Sequence, residues 1–220
     1  MSAVTTDRTP VDEGLGPVLR VVVVNGSPSE RSKTVGLVDV VLGTLETALA
    51  RHGVTVDAHR IDVYRLGPDF TGAVERDGVV PAVEEVLRQA EQADLLVAAT
   101  PVFRGSYTGL FKHFFDLVDQ YALANARAAG RDRRREHHAL VLEHALRPLF
   151  GFFQALTVPV AVFASSGDFD GTTLLTPRVY GRVEMAVDDV AGLLAERATG
   201  GVTGSRSGAA APDRDPPHFT

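Results

Sequence analysis

The chain of 220 residues has no cysteine. Disulfide frameworks, iron–sulfur clusters, cysteine zinc sites and thiol nucleophiles are therefore excluded. Positive charge is also short. Twenty-two Lys plus Arg against 28 Asp plus Glu leave a net charge of −6, with a pI near 5.6. Proteins that collect nucleic acid by electrostatics are normally basic, so no nucleic acid is expected as a partner. Long apolar runs are missing too: stretches such as 21–24 and 95–99 fall far below the ~20 residues that cross a bilayer, so no membrane span is expected. The N-terminal residues include Asp7, Asp12 and Glu13 and hold no apolar signal core, which reads as a cytoplasmic protein. What remains is the composition of a soluble globule. Hydrophobic residues make up 45% and charged residues 23%, enough to build one core.

Residues 1–17 and 199–220 are rich in Gly, Pro, Thr and Asp, and read as a flexible leader and a disordered tail around one domain at 18–198. Within that domain, strand-like and helix-like segments alternate. Residues 18–24 are mostly β-branched, as in a strand buried on both faces. Val38, Val41, Leu42, Leu45 and Leu49 then recur at helical spacing. Val54, Val56 and Ala58 alternate with polar residues, and Pro81 opens a helix carrying Val83, Val86, Leu87 and Ala90 on one face. A third strand at 94–100 leads to a helix with Phe111, Phe114, Phe115 and Val118. A fourth helix follows over 142–153, kinked by Pro148, then a buried strand at 158–164 and a last helix through Val183, Val187, Val190 and Leu194. Such alternation predicts an α/β fold, a doubly wound parallel sheet with helices on both faces. Ligands of such sheets bind at the carboxyl ends of the strands.

Two strand-end loops stand out. The first is Asn25-Gly26-Ser27-Pro28-Ser29-Glu30-Arg31-Ser32-Lys33-Thr34. Hydroxyls, cations and the N–H groups of a helix start suit a phosphate. It is not the three-glycine dinucleotide loop, nor the nucleoside-triphosphate loop, which needs Gly where Ser32 stands; a plain Ser/Thr-capped helix start is the alternative. The second loop contains Pro101, Val102, Phe103, Arg104, Gly105, Ser106 and Tyr107. It suits a flat aromatic ligand, or else is a tight turn whose aromatic residues simply pack. Asp168-Phe169-Asp170 reads as a plain loop, with a border to a nicotinamide site as the alternative. His137, His138, Glu143 and His144 match no standard helical metal pair, so no metal is expected.

Taken together, Gly-Ser-Pro, Ser32, Thr34, the Thr-Pro-Val-aromatic turn, the helix that follows it and Leu146-Arg147-Pro148 resemble the NAD(P)H-dependent FMN reductases of flavodoxin-like fold. These include reductase partners of two-component sulfonate monooxygenases. The resemblance implies strand order 2-1-3-4-5 and FMN with NAD(P)H as cofactor and reductant. It implies FMN phosphate on Ser27, Ser32 and Thr34 with Lys33 or Arg31 nearby. Pro101, Val102 and Phe103 would lie along the isoalloxazine, and Arg104, Gly105 and Ser106 would border it. The implied activity is reduction of FMN for a partner flavin-dependent monooxygenase. A quinone or azo reductase that retains FMN, and a non-catalytic flavodoxin-like protein, are the alternatives. No catalytic residue is named, because hydride passes between the two cofactors. The phenylalanine-rich helix is expected to mediate association into a homodimer or homotetramer.

One segment breaks the pattern. The resemblance implies a fourth strand ending in a Thr-Gly-Gly-type loop, yet residues 126–135 hold five arginines. If translated as written, this run is expected outside the sheet, since unpaired buried charge is costly. A basic surface loop and an anion site for nucleotide phosphate are two readings. A third is a pair of compensating frame changes. The run can be encoded as GCC CGT GCT GCT GGC CGC GAC CGG AGG CG. Read one base later, this gives proline, valine, leucine, leucine, alanine, alanine, threonine, glycine, glycine, and family-like sequence resumes at His138.

Overall fold

The computed structural model describes residues 16–125, 127–129 and 141–203. The chain runs β1 (Val18–Asn25), α1 (Lys33–Ala50), β2 (Thr55–Asp62), α2 (Gly67–Thr71), α3 (Pro81–Glu91), β3 (Leu95–Ala99) and α4 (Gly109–Leu117). It continues through β4 (Arg127–Ala129), a π-helical turn (Leu142–Leu146), α5 (Arg147–Phe152) and β5 (Leu156–Val158). The hairpin β6 (Phe169–Asp170) and β7 (Thr173–Leu174) then precedes α6 (Pro177–Thr203). Five parallel strands form one sheet in the order β2-β1-β3-β4-β5, as the alternation and the resemblance implied.

β1 shows why the first apolar run must be a central strand. Its side chains alternate between faces: Val22 and Val24 join Leu87, Phe111, Phe115 and Phe150 on one side. Leu19 and Val21 join Leu45, Leu49, Val187 and Leu194 on the other. Each face is therefore covered by helices, α3–α5 on one and α1 with α6 on the other. Phe111, Phe114 and Phe115 are at most 2% exposed, and Phe115 stacks edge-on against Phe150. These rings are consumed by the chain's own core, so they are not the exposed aromatic surface on which the expected association was based.

Three other expectations change. The kink attributed to Pro148 lies one turn earlier, as the π-helical turn Leu142–Leu146; a proline ring crowds the carbonyl four residues before it, here that of His144, and widening the turn relieves the clash. α6 extends to Thr203, beyond the boundary expected at 198. Residues 127–129 lie inside the sheet rather than outside it, pairing with both β3 and β5. The ladder is made by backbone groups, which arginine and alanine supply as well as valine does, and an unpaired buried strand edge costs more than a short imperfect strand. The rest of the arginine run, with His137 and His138, lies outside the described residues.

Candidate functional site

The site begins where β1 and β3 end side by side. Asn25, fully buried, donates from its amide to Asp62 at 2.7 Å and accepts from the Ser27 N–H at 3.1 Å. The Gly26 N–H donates to the Ala99 carbonyl at 2.7 Å, and the buried Thr108 hydroxyl donates to the Gly26 carbonyl at 2.9 Å. Thr108 N–H in turn reaches the Thr100 hydroxyl. The two loops singled out from sequence are thus tied together through Gly26. No other residue fits there: a Cβ would stand 2.8 Å from the Phe111 Cβ and 3.0 Å from the Thr108 hydroxyl.

The first loop ends as the start of α1. Ser32 is its N-cap, with Oγ accepting from the Val35 N–H at 3.2 Å. The hydroxyl proton of Ser32 is left over to donate outward. The amides of Lys33 and Thr34, first in the helix, have no helical acceptor by geometry. Together with the positive end of the helix dipole, they make a seat for an anion. Ser27 differs: it is 5% exposed, and its hydroxyl exchanges hydrogen bonds with Ser29. Lys33 reaches across to donate to the Ser166 carbonyl at 3.1 Å.

The second loop turns sharply at its tip. Phe103 and Ser106 exchange backbone hydrogen bonds, and Arg104 (φ 53°) and Gly105 (φ 84°) take the left-handed conformation between them. That conformation is costly for arginine and free for glycine. Phe103 is left 48% exposed.

These loops open onto a cavity of about 650 Å³. Its polar end is formed by Ser27, Ser32, Lys33, Thr34 and Thr100, and its flat wall by Pro101, Val102 and Phe103. Arg104, Gly105 and Ser106 do not line it; they form the tip of the turn. The far wall is made by Phe163, Ser165, Ser166 and Phe169; sequence reasoning missed the first three, while Phe169 lies in the segment 168–170 that it read as a plain loop, with a border to a nicotinamide site as the alternative. The rule that pointed to the other two loops, a strand end followed by small polar residues, applied equally to Ser165-Ser166-Gly167. Within that wall Asp168, 9% exposed, accepts from the Ser165 N–H at 2.7 Å and the Ser165 hydroxyl at 2.8 Å. Burial opposes its ionisation, but the bonds from Ser165 and Thr176 and the charge of Arg178 prevail, and hold its carboxyl below the usual range. Asp168 is therefore a structural clamp on this loop. The β6–β7 hairpin beyond it packs so closely that a Cβ at Gly36 of α1 would stand 2.0 Å from the Thr172 carbonyl.

The cavity has a phosphate-sized seat of hydroxyls and amides at one end and a flat, mostly apolar wall beside it. This donor set fits FMN: the seat suits a phosphomonoester and the wall a planar ring system.

Known proteins agree in this direction. The family model described as NADPH-dependent FMN reductase matches residues 19–170. The chain is 41% identical over 178 residues to the NADH-dependent FMN reductase SfnF of Pseudomonas putida, covering 79% of this chain and 91% of that protein. It is 37% identical over 183 residues to an FMN reductase (NADPH) of Pseudomonas aeruginosa, covering 81% and 94%. Among solved structures, an oxidoreductase from Corynebacterium diphtheriae superposes with a TM-score of 0.69 at 32% identity, covering 82% of this chain and 99% of that one.

Proposed function

The chain belongs to the NADPH-dependent FMN reductase family, and from that membership and the geometry of its cavity we propose that it reduces FMN with NAD(P)H. The observation that carries this reading is the joining of an anion seat and a flat apolar wall in one cavity, held together by the Gly26–Ala99 and Thr108–Gly26 hydrogen bonds.

The flavin, when bound, supplies the hydride chemistry, accepting hydride from the reduced nicotinamide. What this chain contributes is orientation. Ser32 and Thr34 donate to the phosphate from their hydroxyls, and Lys33 and Thr34 donate from their amides. This fixes one end of the molecule. Pro101, Val102 and Phe103, which line the cavity beside that end, would pack against the ring system and so orient it for the nicotinamide. The turn that carries Arg104, Gly105 and Ser106 stands next to that wall. Lys33, bridging to Ser166, closes the phosphate end against the far wall. No side chain of the site needs to move a proton, and accordingly Asp168, the one buried carboxylate among the described residues, is spent on Ser165.

The reduced flavin is released to a separate flavin-dependent monooxygenase. The test is reduced-nicotinamide oxidation coupled to such an enzyme: product formation should require the reductase, FMN and reduced nicotinamide together. Oxidation of NADH or NADPH that yields no reduced flavin in solution would refute the carrier role.

A further inference from the structure

β1 ends between two strands at once. Its last residue, Asn25, faces Asp62 at the end of β2 and Ala99 at the end of β3. From Gly26 onward the chain leaves both ladders and becomes the loop that leads to the anion seat. On the β3 side this exit is fixed by the backbone, through the Gly26 N–H on the Ala99 carbonyl. On the β2 side it is fixed by side chains. Asn25 Nδ2 donates to Asp62 Oδ1 at 2.7 Å, and Asn25 Oδ1 accepts from the Ser27 N–H at 3.1 Å. The second bond closes an Asx turn, which bends the chain from strand into loop.

Only one orientation of the Asn25 amide satisfies both neighbours. An ionised carboxylate has nothing to donate, and a backbone N–H has nothing to accept with. Asn25 is fully buried, and a buried donor without a partner is costly. Asp62 anchors the outer end of this chain of bonds, its side chain 16% exposed and paired with Arg60 Nε at 3.1 Å. β2 leads to a second tie on the same loop, Arg65 to Glu30 at 2.7 Å, but both of those side chains are more than half exposed, and such a pair contributes little. The buried tie is therefore the stronger one. Neither Asn25 nor Asp62 lines the cavity, whereas Ser27 does.

We propose that Asp62 is a positioning residue for the flavin phosphate: by holding the Asn25 amide in one orientation it sets the Asx turn, and so places Ser27 and the loop that runs on to Ser32. This rests on the reading of the cavity as an FMN site. Asp62 acts as a hydrogen-bond acceptor and not as a charge. By charge alone a carboxylate near a seat for a dianion would oppose binding, and Arg60 offsets that charge here.

FMN titration, steady-state turnover and hydrogen exchange at the Ser27 amide test this on the full chain. Asp62→Ala leaves the buried Asn25 amide without its acceptor. The Ser27 amide should then exchange about tenfold faster, and the Kd and KM for FMN should rise about three- to tenfold with kcat kept, the weight of one hydrogen bond. Asp62→Asn loses the charge but keeps an acceptor, and should stay within about twofold of the parent in all three. In an Asn25→Ala background, Asp62→Ala should add nothing further, because its effect passes through Asn25. Equal effects of D62A and D62N, tighter FMN binding in D62A, or additive losses on the N25A background would overturn the proposal. So would a Tm that falls while Kd and Ser27 exchange stay at the parent values, which would leave Asp62 a merely structural part. A parent that binds no FMN refutes the reading of the cavity instead; the Ser27 amide then decides the tether alone, and exchange unchanged in D62A overturns it.

Discussion

The anion seat at the start of α1 can be dismantled without disturbing the helix. Ser32 plays two parts: its oxygen caps the helix by accepting from Val35, and its proton is free for a ligand. Alanine would remove both parts, mixing about 1 kcal/mol of lost capping into any change in binding. Glycine is a good N-cap and costs only a few tenths of a kcal/mol there. Valine at position 34 keeps the shape of threonine and removes its hydroxyl. The double variant Ser32→Gly, Thr34→Val therefore loses two hydroxyl donors to a phosphate dianion at little cost to the fold. At about 1–2 kcal/mol for each charge-assisted bond, FMN binding should weaken by about 2–4 kcal/mol. That is a rise in Kd of roughly 30- to 1,000-fold, while stability falls by less than about 1 kcal/mol. Quenching of FMN fluorescence gives the Kd and a thermal melt gives the stability. A Kd within about twofold of the parent, with the melt unchanged, would reduce this segment to an ordinary capped helix.

Other changes have equally definite outcomes. Gly26→Ala drives a Cβ into the Phe111 Cβ, whose position the core fixes; overpacking of about 1–3 kcal/mol should lower Tm by about 3–10 °C, and FMN affinity should fall with it, because both loops hinge there. Asp168→Asn should destabilise the protein by about 1–3 kcal/mol at neutral pH. The Asp168 carboxyl is depressed in the folded state, so its contribution is present above the unfolded carboxylate value and is lost as pH falls through the folded value. The gap between parent and variant in denaturant melts should therefore begin to narrow at about pH 4, the unfolded carboxylate value, and close only as the pH falls through the lower folded value; a gap independent of pH would contradict the clamp. Phe103→Ala, at a half-exposed ring, should leave stability within about 0.5 kcal/mol yet weaken FMN roughly tenfold by removing ring contact; equal affinity would take Phe103 out of the wall.

Most of the sheet was legible because its signals are local. The β-branched run of β1 admits only a strand buried on both faces, and the helical spacing of α1 and α3 has no other reading. The phosphate loop and the Thr-Pro-Val-Phe turn were legible because strand-end loops are where such folds bind ligands. Ser165 and Ser166 follow directly on the strand read at 158–164 and were passed over because a pair of serines with no cation, proline or aromatic beside it carries little ligand signal of its own. The three phenylalanines of α4 were misread as a contact surface; whether a ring faces a neighbour or its own core depends on Phe70, Phe150 and Phe153 arriving from elsewhere in the chain. The placing of residues 127–129 inside the sheet was illegible for a different reason: side-chain chemistry argued against a strand that backbone pairing nevertheless forms.

The most direct test of the account is oxidation of reduced nicotinamide by the purified protein, followed by absorbance, with and without added FMN. The account predicts turnover that rises with FMN to saturation, and that shifts to higher FMN concentration in the Ser32→Gly, Thr34→Val variant. Turnover indifferent to added FMN, or none at FMN concentrations where binding is demonstrated, would contradict it.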